Sequence, residues 1–566
     1  MKKTAVSVIC LIFILQGISY SQTPPPSQTG GGIEQQQDQI QRERALQKRI
    51  TTEKKKEEGI TEEKAASAEG GKPVLITKIE VEDVTLIPKD VIDKIISSYE
   101  GKELSLREMQ KACDLITDEY RKRGRVTSRA YLPPQTIRGG ILVIAIVEGK
   151  VGNVEVRGNR YFGSQLIKKK LKLKPGKHLD YQAMQKGLTK LNENPDRFVK
   201  LVLIPGREAG TTDIVLEVED KLPFHYGYEF DNFGSRYIEH DRHTGTVEHN
   251  NLLGLDDKLS FKYQKGQGNF YDLYSFQYTV PATNTLDIGA YTLWSDTRLA
   301  KEFKAQNITG SAQLAGAFLN FVIINLSSVD LGLTGGFDYK SVLNYVNGNK
   351  NSRDEDRVIK VGFDLDMQDR WGRTIVTFEE DIGLLIGNLH KKDPLATRQG
   401  AGAVFNKLVG NLYRLQPMPF GSTILWKNQF QATAYNMLAI EQLQVGGIAN
   451  VRGYSPGEYS GDSGLTSTVE WAFPPYFMPK NLRVPLSKST FYDATRFVAF
   501  YDLGYLHTKT IQFAGDKTNR TVQGWGGGVR FNLPEELYAR IEFAYRFNSD
   551  VQFGDANMYM DFSKRF

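Results

Sequence analysis

Gly453-Tyr-Ser455-Pro-Gly457 has the spacing of a nucleophile elbow, in which a serine sits on a sharp turn between a strand and a helix. Pro456 and the flanking glycines oppose the helix that this chemistry needs, so Ser455 reads as part of a turn. Gly461-Asp-Ser463-Gly464 has the letters of a protease serine segment, but a triad also needs a His and an Asp placed by a pair of soluble barrels. His240, His243 and His249, near Glu239 and Asp241, offer metal-ligand types; on an early hairpin they read more simply as solvated polar residues. Gly526-Gly-Gly528 follows Trp525 and has neither the lysine nor the helix of a phosphate cradle, which leaves a strand open to curvature or to the close approach of a loop. No catalytic residue, metal or cofactor is expected.

The elements that carry these residues are set by periodicity. After Pro223 apolar residues recur at every second position: Phe224, Tyr226, Tyr228 and Phe230, then Leu259, Phe261 and Tyr263, then Tyr274, Phe276, Tyr278 and Val280. One face suits lipid and the other water. A soluble sandwich also alternates, but this segment runs undivided to Phe566, is rich in girdle-forming aromatics, and ends with Met558, Met560, Phe562 and Phe566 on one face. It reads as a transmembrane β-barrel of a bacterial outer membrane over residues 222–566.

Upstream, residues 1–21 have a basic start (Lys2, Lys3), an apolar core and small residues suited to cleavage, the pattern of a signal peptide. Past it, no apolar run is long enough to cross a bilayer as a helix. Residues 22–73 are rich in Pro, Gln, Gly, Lys and Glu; within them Gln35 to Glu58 predicts a helix polar all round, bounded by Gly30 to Gly32 and Gly59. Such a helix serves equally as a solvated tether or as a plug in a wet lumen.

Residues 74–149 read as strand, helix, helix, strand, strand. Leu75 to Val81 is the first strand. Pro88 opens a helix with Val91, Ile92, Ile95, Ile96 and Tyr99 on one face, and Gly101 ends it. Ser105 and Glu108 form a capping box for a second helix whose stripe is Met109, Cys113, Ile116 and Tyr120. Val126 to Leu132 and Ile141 to Val147 complete the unit. The order repeats over 150–221, with Asp180 capping a helix that carries Met184, Leu188 and Leu191. Cys113 is the only cysteine beyond the leader, so it is expected in the core, without a disulfide. The net charge of +6 is spread over 566 residues with no basic block, which argues against nucleic acid as a partner.

Several strings then carry a family resemblance: Leu191-Asn-Glu-Asn-Pro195 with Gly210-Thr-Thr-Asp213, Asp231-Asn-Phe-Gly-Ser-Arg-Tyr237 as a first barrel strand, Asn251-Leu-Leu-Gly254, and above all Gln444 to Tyr454 with its tetrad Val451-Arg452-Gly453-Tyr454. Phe500-Tyr-Asp502-Leu-Gly504 supplies the partner motif Phe-x-Asp-x-Gly. The chain resembles two-partner secretion transporters, the TpsB family that exports haemolysins and filamentous haemagglutinins.

That resemblance implies two tandem POTRA domains in the periplasm, a barrel of sixteen strands, and an inward-folded loop whose tetrad is anchored by the partner motif on the wall. A loop tip in a wet lumen gains little from hydrophobic burial, so an arginine fork on a carboxylate suits the task. Asp502 shares a strand face with Val498 and Phe500; its assignment to the lumen follows from the resemblance and from the cost of a carboxylate in lipid. The implied function is export of an unfolded partner protein, of TpsA type, with outer-membrane lipids and the barrel assembly machinery as further partners and the terminal Phe566 as assembly signal. The rival with the same architecture is a BamA-like factor that assembles barrels; a passive porin or an adhesin would have no use for tandem modules.

Overall fold

The computed structural model describes residues 30–51 and 73–566, apart from 126, 209, 327, 387–388, 486, 512–516, 535 and 548–555. The leader and the stretch from 52 to 72, with the expected end of the polar helix, lie outside the described residues.

Helix α1 (Gly30–Thr51) takes Gly30 to Gly32 into its first turn; they do not bound it. The first module follows: β1 (Val74–Ile76), β2 (Lys78–Glu82), α2 (Lys89–Ile96), β3 (Lys102–Leu104), α3 (Leu106–Lys122), β4 (Arg129–Tyr131) and β5 (Ile141–Val147). The single strand expected from Leu75 to Val81 is divided at Thr77. Its first part pairs with β3 beyond Gly101, and its second joins the sheet β2-β5-β4. The capping box of Ser105 and Glu108 is present at α3, which buries Met109, Cys113, Ile116 and Tyr120. Burial pushes the Cys113 thiol up to about 12, so at neutral pH it is an unreactive core residue.

The second module repeats the order with β6 (Lys150–Arg157), α4 (Ser164–Leu171), α5 (Tyr181–Asn192), β7 (Arg197–Pro205) and β8 (Thr211–Asp220). Asp180 caps α5 through Ala183 N at 3.0 Å. In the three-stranded sheets β2 runs parallel to β5 and β6 to β8, with β4 and β7 antiparallel on the other side.

Among the described residues sixteen strands close an antiparallel barrel. Its first half is β9 (Phe224–Asp231), β10 (Arg242–His249), β11 (Lys258–Gly266), β12 (Tyr271–Pro281), β13 (Leu286–Arg298), β14 (Ile308–Asn325), β15 (Val329–Val346) and β16 (Asn349–Asp369). The second half has β17 (Gly372–Gly383), β18 (Asn406–Pro417) and β19 (Thr423–Thr433), then, past the loop pair β20 (Leu443–Val445) and β21 (Tyr459–Gly461), β22 (Ser463–Phe473), β23 (Thr495–His507), β24 (Asn519–Leu533), β25 (Leu537–Arg546) and β26 (Ala556–Arg565). Period-two alternation puts Ile359, Val361 and Phe363 of β16 outside, with Lys360, Asp364 and Asp366 facing in. Only Asp231 of the string Asp231 to Tyr237 is in a strand. The rest is the turn to β10, and it buries Phe233 inside, beneath Arg242 and Arg540.

The seam joins β26 to β9 over Asp561–Arg565 and Gly227–Asp231. Phe566, just beyond β26, exchanges backbone bonds with Tyr226 at 2.8 and 3.3 Å, and their rings stack outside at 4.9 Å.

The second module is seated on the near rim of the barrel. Asp256, in the turn between β10 and β11, accepts from Lys170 at 2.6 Å, Arg197 at 3.0 Å and Asn194 at 2.7 Å, all four residues being buried. Asp196 accepts from Asn250 at 2.7 Å, and Lys190 pairs with Asp287 at 3.1 Å. The string Leu191 to Pro195 therefore works at this joint.

Candidate functional site: the occupied lumen

The loop between β19 and β22 folds into the barrel, held in shape by the hairpin of β20 and β21. Between those strands the chain bends through Gly446, Gly447, Gly453 and Gly457, all at positive φ. At Gly453 (φ 94°) a Cβ would also come within 3.0 Å of the Tyr545 backbone.

Arg452 at the loop tip is 2% exposed. Its Nε and Nη2 donate to Asp502 Oδ2 and Oδ1, both at 2.8 Å, and its backbone N donates to Asp502 Oδ2 at 3.0 Å. Nη1 lies 3.0 Å from both Glu470 and Glu542, while the guanidinium carbon stands 3.3 Å from the Phe500 ring centroid. Arg530 bridges the same two glutamates, at 2.9 Å to Glu470 and 2.7 Å to Glu542. Buried carboxylates persist only when paired and hydrogen-bonded, and two arginines serve three acids here.

Each motif residue has a place in this arrangement. Val451 and Tyr454 are fully buried with Leu443, Val445, Leu506 and Val522, so the loop tip does gain hydrophobic burial, contrary to expectation. A knot of apolar side chains has been carried into the lumen along with the charges. Gly504 makes room for it: a Cβ there would sit 2.9 Å from Val445 and 3.0 Å from Val451. Gly453 N donates to Tyr559 OH at 3.1 Å, and that hydroxyl donates to Tyr454 O at 3.1 Å. Gly526 admits the Phe500 ring, which would lie 2.7 Å from an added Cβ, and Gly524 admits the Arg452 carbonyl, at 2.0 Å.

A second tie holds the same loop to the opposite wall. Glu441 is fully buried and accepts from Lys340 of β15 and Lys407 of β18. Arg398 on the neighbouring loop donates to Asp462 and to Met437 O.

Helix α1 fills the space beside the loop, lying along β13, β14, β15, β17 and β18. Arg44 pairs with Glu229, and Arg49 with Asp364 at 2.6 Å and Asp366 at 3.2 Å. Glu43 meets Lys427 at 3.0 Å, and Lys427 meets Glu470 at 3.1 Å, which links the helix to the Arg452 network through one lysine. The helix is not polar all round in effect: Ile33, Ile40 and Ile50 are each buried in a separate apolar contact. Gln35 reaches the loop at Gln442 O, and Gln444 donates to Gln35 at 2.9 Å.

Reading the sequence missed Glu470, Glu542, Arg530, Tyr559 and Glu441. The first three do carry a signal, since a charged residue at an inward position of a strand with an apolar outer face must find a partner in the lumen. Their mutual pairing is a product of closure and has no local trace.

Tandem strand-helix-helix-strand-strand modules seated on a sixteen-stranded barrel, with an occupied lumen, define an outer-membrane transporter of the POTRA-barrel class. The family model for haemolysin secretion/activation proteins of the ShlB/FhaC/HecB type matches residues 210–531, more than half of the chain, and the ShlB-type POTRA domain matches residues 74–149. The chain belongs to the ShlB/FhaC/HecB family of two-partner secretion transporters, with its barrel in the outer membrane and its modules in the periplasm.

Among its relatives are the outer membrane transporter CdiB of Dickeya dadantii, 23% identical over 82% of this chain and 81% of that one, and the heme/hemopexin transporter protein HuxB of Haemophilus influenzae, 20% identical over 83% of each. CdiB from Escherichia coli has a similar fold, with a TM-score of 0.72 at 20% identity over 97% of this chain and all of that one. BamA from Haemophilus ducreyi shares the fold less closely, with a TM-score of 0.52 at 12% identity over 87% of this chain and all of that one.

Proposed function

We propose that this transporter exports its partner protein unfolded, through the space that α1 occupies at rest. The carrying observation is how α1 is held: ion pairs of Arg44 and Arg49 with the wall, three separate isoleucine contacts, and no strand pairing. Such a helix leaves without disturbing the barrel's hydrogen bonds. The loop is held differently, by Arg452 on one wall and Glu441 on the other, and stays as a fixed strut beside the passage.

The two modules capture the partner in the periplasm by adding it as a strand to an open sheet edge, with little demand on sequence. No nucleotide hydrolysis is involved. Outer-membrane lipids surround the barrel, and the outward Phe566 serves as the signal read by the barrel assembly machinery. Val451, Arg452, Gly453 and Tyr454, with Phe500, Asp502 and Gly504, act as the loop anchor.

The test is co-expression with a candidate exported partner protein, in a strain lacking both. The partner should reach the medium or cell surface only when the transporter is present. Retention of the partner inside the cell, together with a general fall of other barrels on transporter depletion, would instead support the assembly-factor reading.

A further inference from the structure

The lumen accounts for the inward charges; the near rim of the barrel has a second set of exposed groups that transport does not use. The module covers the turns after β10, β12 and β14, through Asp256, Asn284, Asp287 and Asn325. The next three periplasmic turns, after β16, β18 and β22, are not covered by any of the described residues and project aromatic side chains. Trp371 is 59% exposed, Phe420 86% and Phe477 77%.

These turns form one surface. Gln416 donates to Trp371 O, tying the first to the second, and Pro474 of the third lies against Gly421 of the second. The surface also continues the lipid-facing wall without a break: Phe473 of β22 stacks on Tyr476 at 6.2 Å, and Phe497 of β23 meets Phe477 at 5.8 Å. An aromatic ring at the edge of a lipid belt belongs at headgroup level.

Two further observations say what covers it. Phe420 has φ 61°, a backbone conformation that disfavours any β-carbon, yet the position carries a large ring held in the open. The charges between the rings are almost all positive. Arg370, Lys480, Arg483 and Lys488 are exposed; against these four cations stand Asp369, paired with Arg414, and the single exposed carboxylate of Asp493, which accepts from the Thr490 hydroxyl. Arg370 lies 4.6 Å over Trp371 and Lys480 5.3 Å over Tyr492, so cations and rings share one layer.

The geometry points to a binding surface for anionic phospholipid headgroups of the periplasmic leaflet, built from the turns after β16, β18 and β22 on the side of the rim away from the second module. The rings enter the acyl boundary and the basic groups meet lipid phosphates above it. The barrel is thereby held in the leaflet on one side while the modules hang from the other.

The test uses the full chain in nanodiscs, with Trp294, Trp426, Trp471 and Trp525 replaced by Phe so that Trp371 alone reports. Brominated phosphatidylglycerol, at a tenth of a phosphatidylcholine background, should quench Trp371 about three-fold more than brominated phosphatidylcholine at the same fraction. Arg370→Gln with Lys480→Gln, Arg483→Gln and Lys488→Gln should abolish that preference while the barrel remains heat-modifiable. Phe420→Gly, which the backbone accommodates, should lower the unfolding temperature in phosphatidylglycerol bilayers and raise it in detergent. Equal quenching by the two lipids would overturn the proposal. So would a Trp371 shielded from both, because the turns would then lie out of reach of the bilayer.

Discussion

The guanidinium of Arg452 meets the carboxylate of Asp502 side-on, two nitrogens to two oxygens at 2.8 Å each, across fifty residues of sequence and with neither group reached by solvent. Only arginine has this planar fork. Arg452 also serves Glu470 and Glu542, so the two partners are not equivalent.

Arg452→Ala leaves Asp502 buried without its cation, with Glu470 and Glu542 still on Arg530, whereas Asp502→Asn leaves Arg452 with two acids still in reach. Losing one partner of such a buried group costs about 3–5 kcal/mol, so secretion should fall in the order wild type, Asp502→Asn, Arg452→Lys, Arg452→Ala. Heat-modifiability on gels should show a folded barrel in each. Normal export by Arg452→Ala would remove the anchor from the mechanism.

Glu441→Gln keeps the shape but not the charge that Lys340 and Lys407 share. The loop should then be cut by external protease near 437–445 while Arg452 still holds its tip. Secretion should fall less than in Arg452→Ala. A loop that stays resistant would mean that the second tie is dispensable.

Removing residues 22–72 should raise single-channel conductance in planar bilayers, because a column about 10–12 Å wide leaves the lumen. Arg44→Gln with Arg49→Gln should give partial opening, and added salt should open the wild type more than it opens the variant further, since screening acts on the same pairs. Unchanged conductance after the deletion would return α1 to the status of a tether.

Asp256→Asn removes the charge that Lys170 and Arg197 share and one of the two oxygens that accept from them and from Asn194. Hydrogen exchange in α4 and α5 should rise by about tenfold or more while β24 and β25 stay protected. Secretion should drop with the modules intact.

In the first module Glu148 accepts from Thr85 N at 2.8 Å, Leu86 N at 2.7 Å and Tyr120 OH at 2.8 Å. Burial alone would raise its pKa, but these donors and the Thr85 hydroxyl outweigh it and hold the carboxyl below its ordinary value. A lowered folded-state value contributes stability in full above the unfolded pKa of about 4.3, and that stability is lost as pH falls through the lowered value. Opening of the first module should therefore increase below about pH 4.3, and Glu148→Gln should flatten that dependence.

The parts legible in the sequence were those with a period or a cap. The stripe through Cys113 and Tyr120, the Ser105 box and the alternation of β23 are local consequences of spacing, and the tetrad and its partner stood out as strings. What closure creates was not legible. Glu470, Glu542 and Arg530 lie on three strands and become one network only when the barrel is complete. The isoleucines of α1 looked isolated because the surfaces that receive them belong to distant strands. Thr77, which divides the first strand, is set by the turn of Gly139 and Gly140 against it, a contact across sixty-two residues.

The seam has a consequence for time. It is made of five register pairs, with Tyr226 and Phe566 closing its end, and His225 approaches Phe566 over a separation of 341 residues. Closing a loop of that length costs about 5 kcal/mol in chain entropy before any contact repays it. Within the barrel every other pair but β19 with β22, which spans the inward loop, joins strands consecutive in the sequence and can zip hairpin by hairpin. Of the barrel's pairings the seam alone must wait for the two ends of the segment to meet, and as a joint of five register pairs it has fewer bonds to hold it than its neighbours.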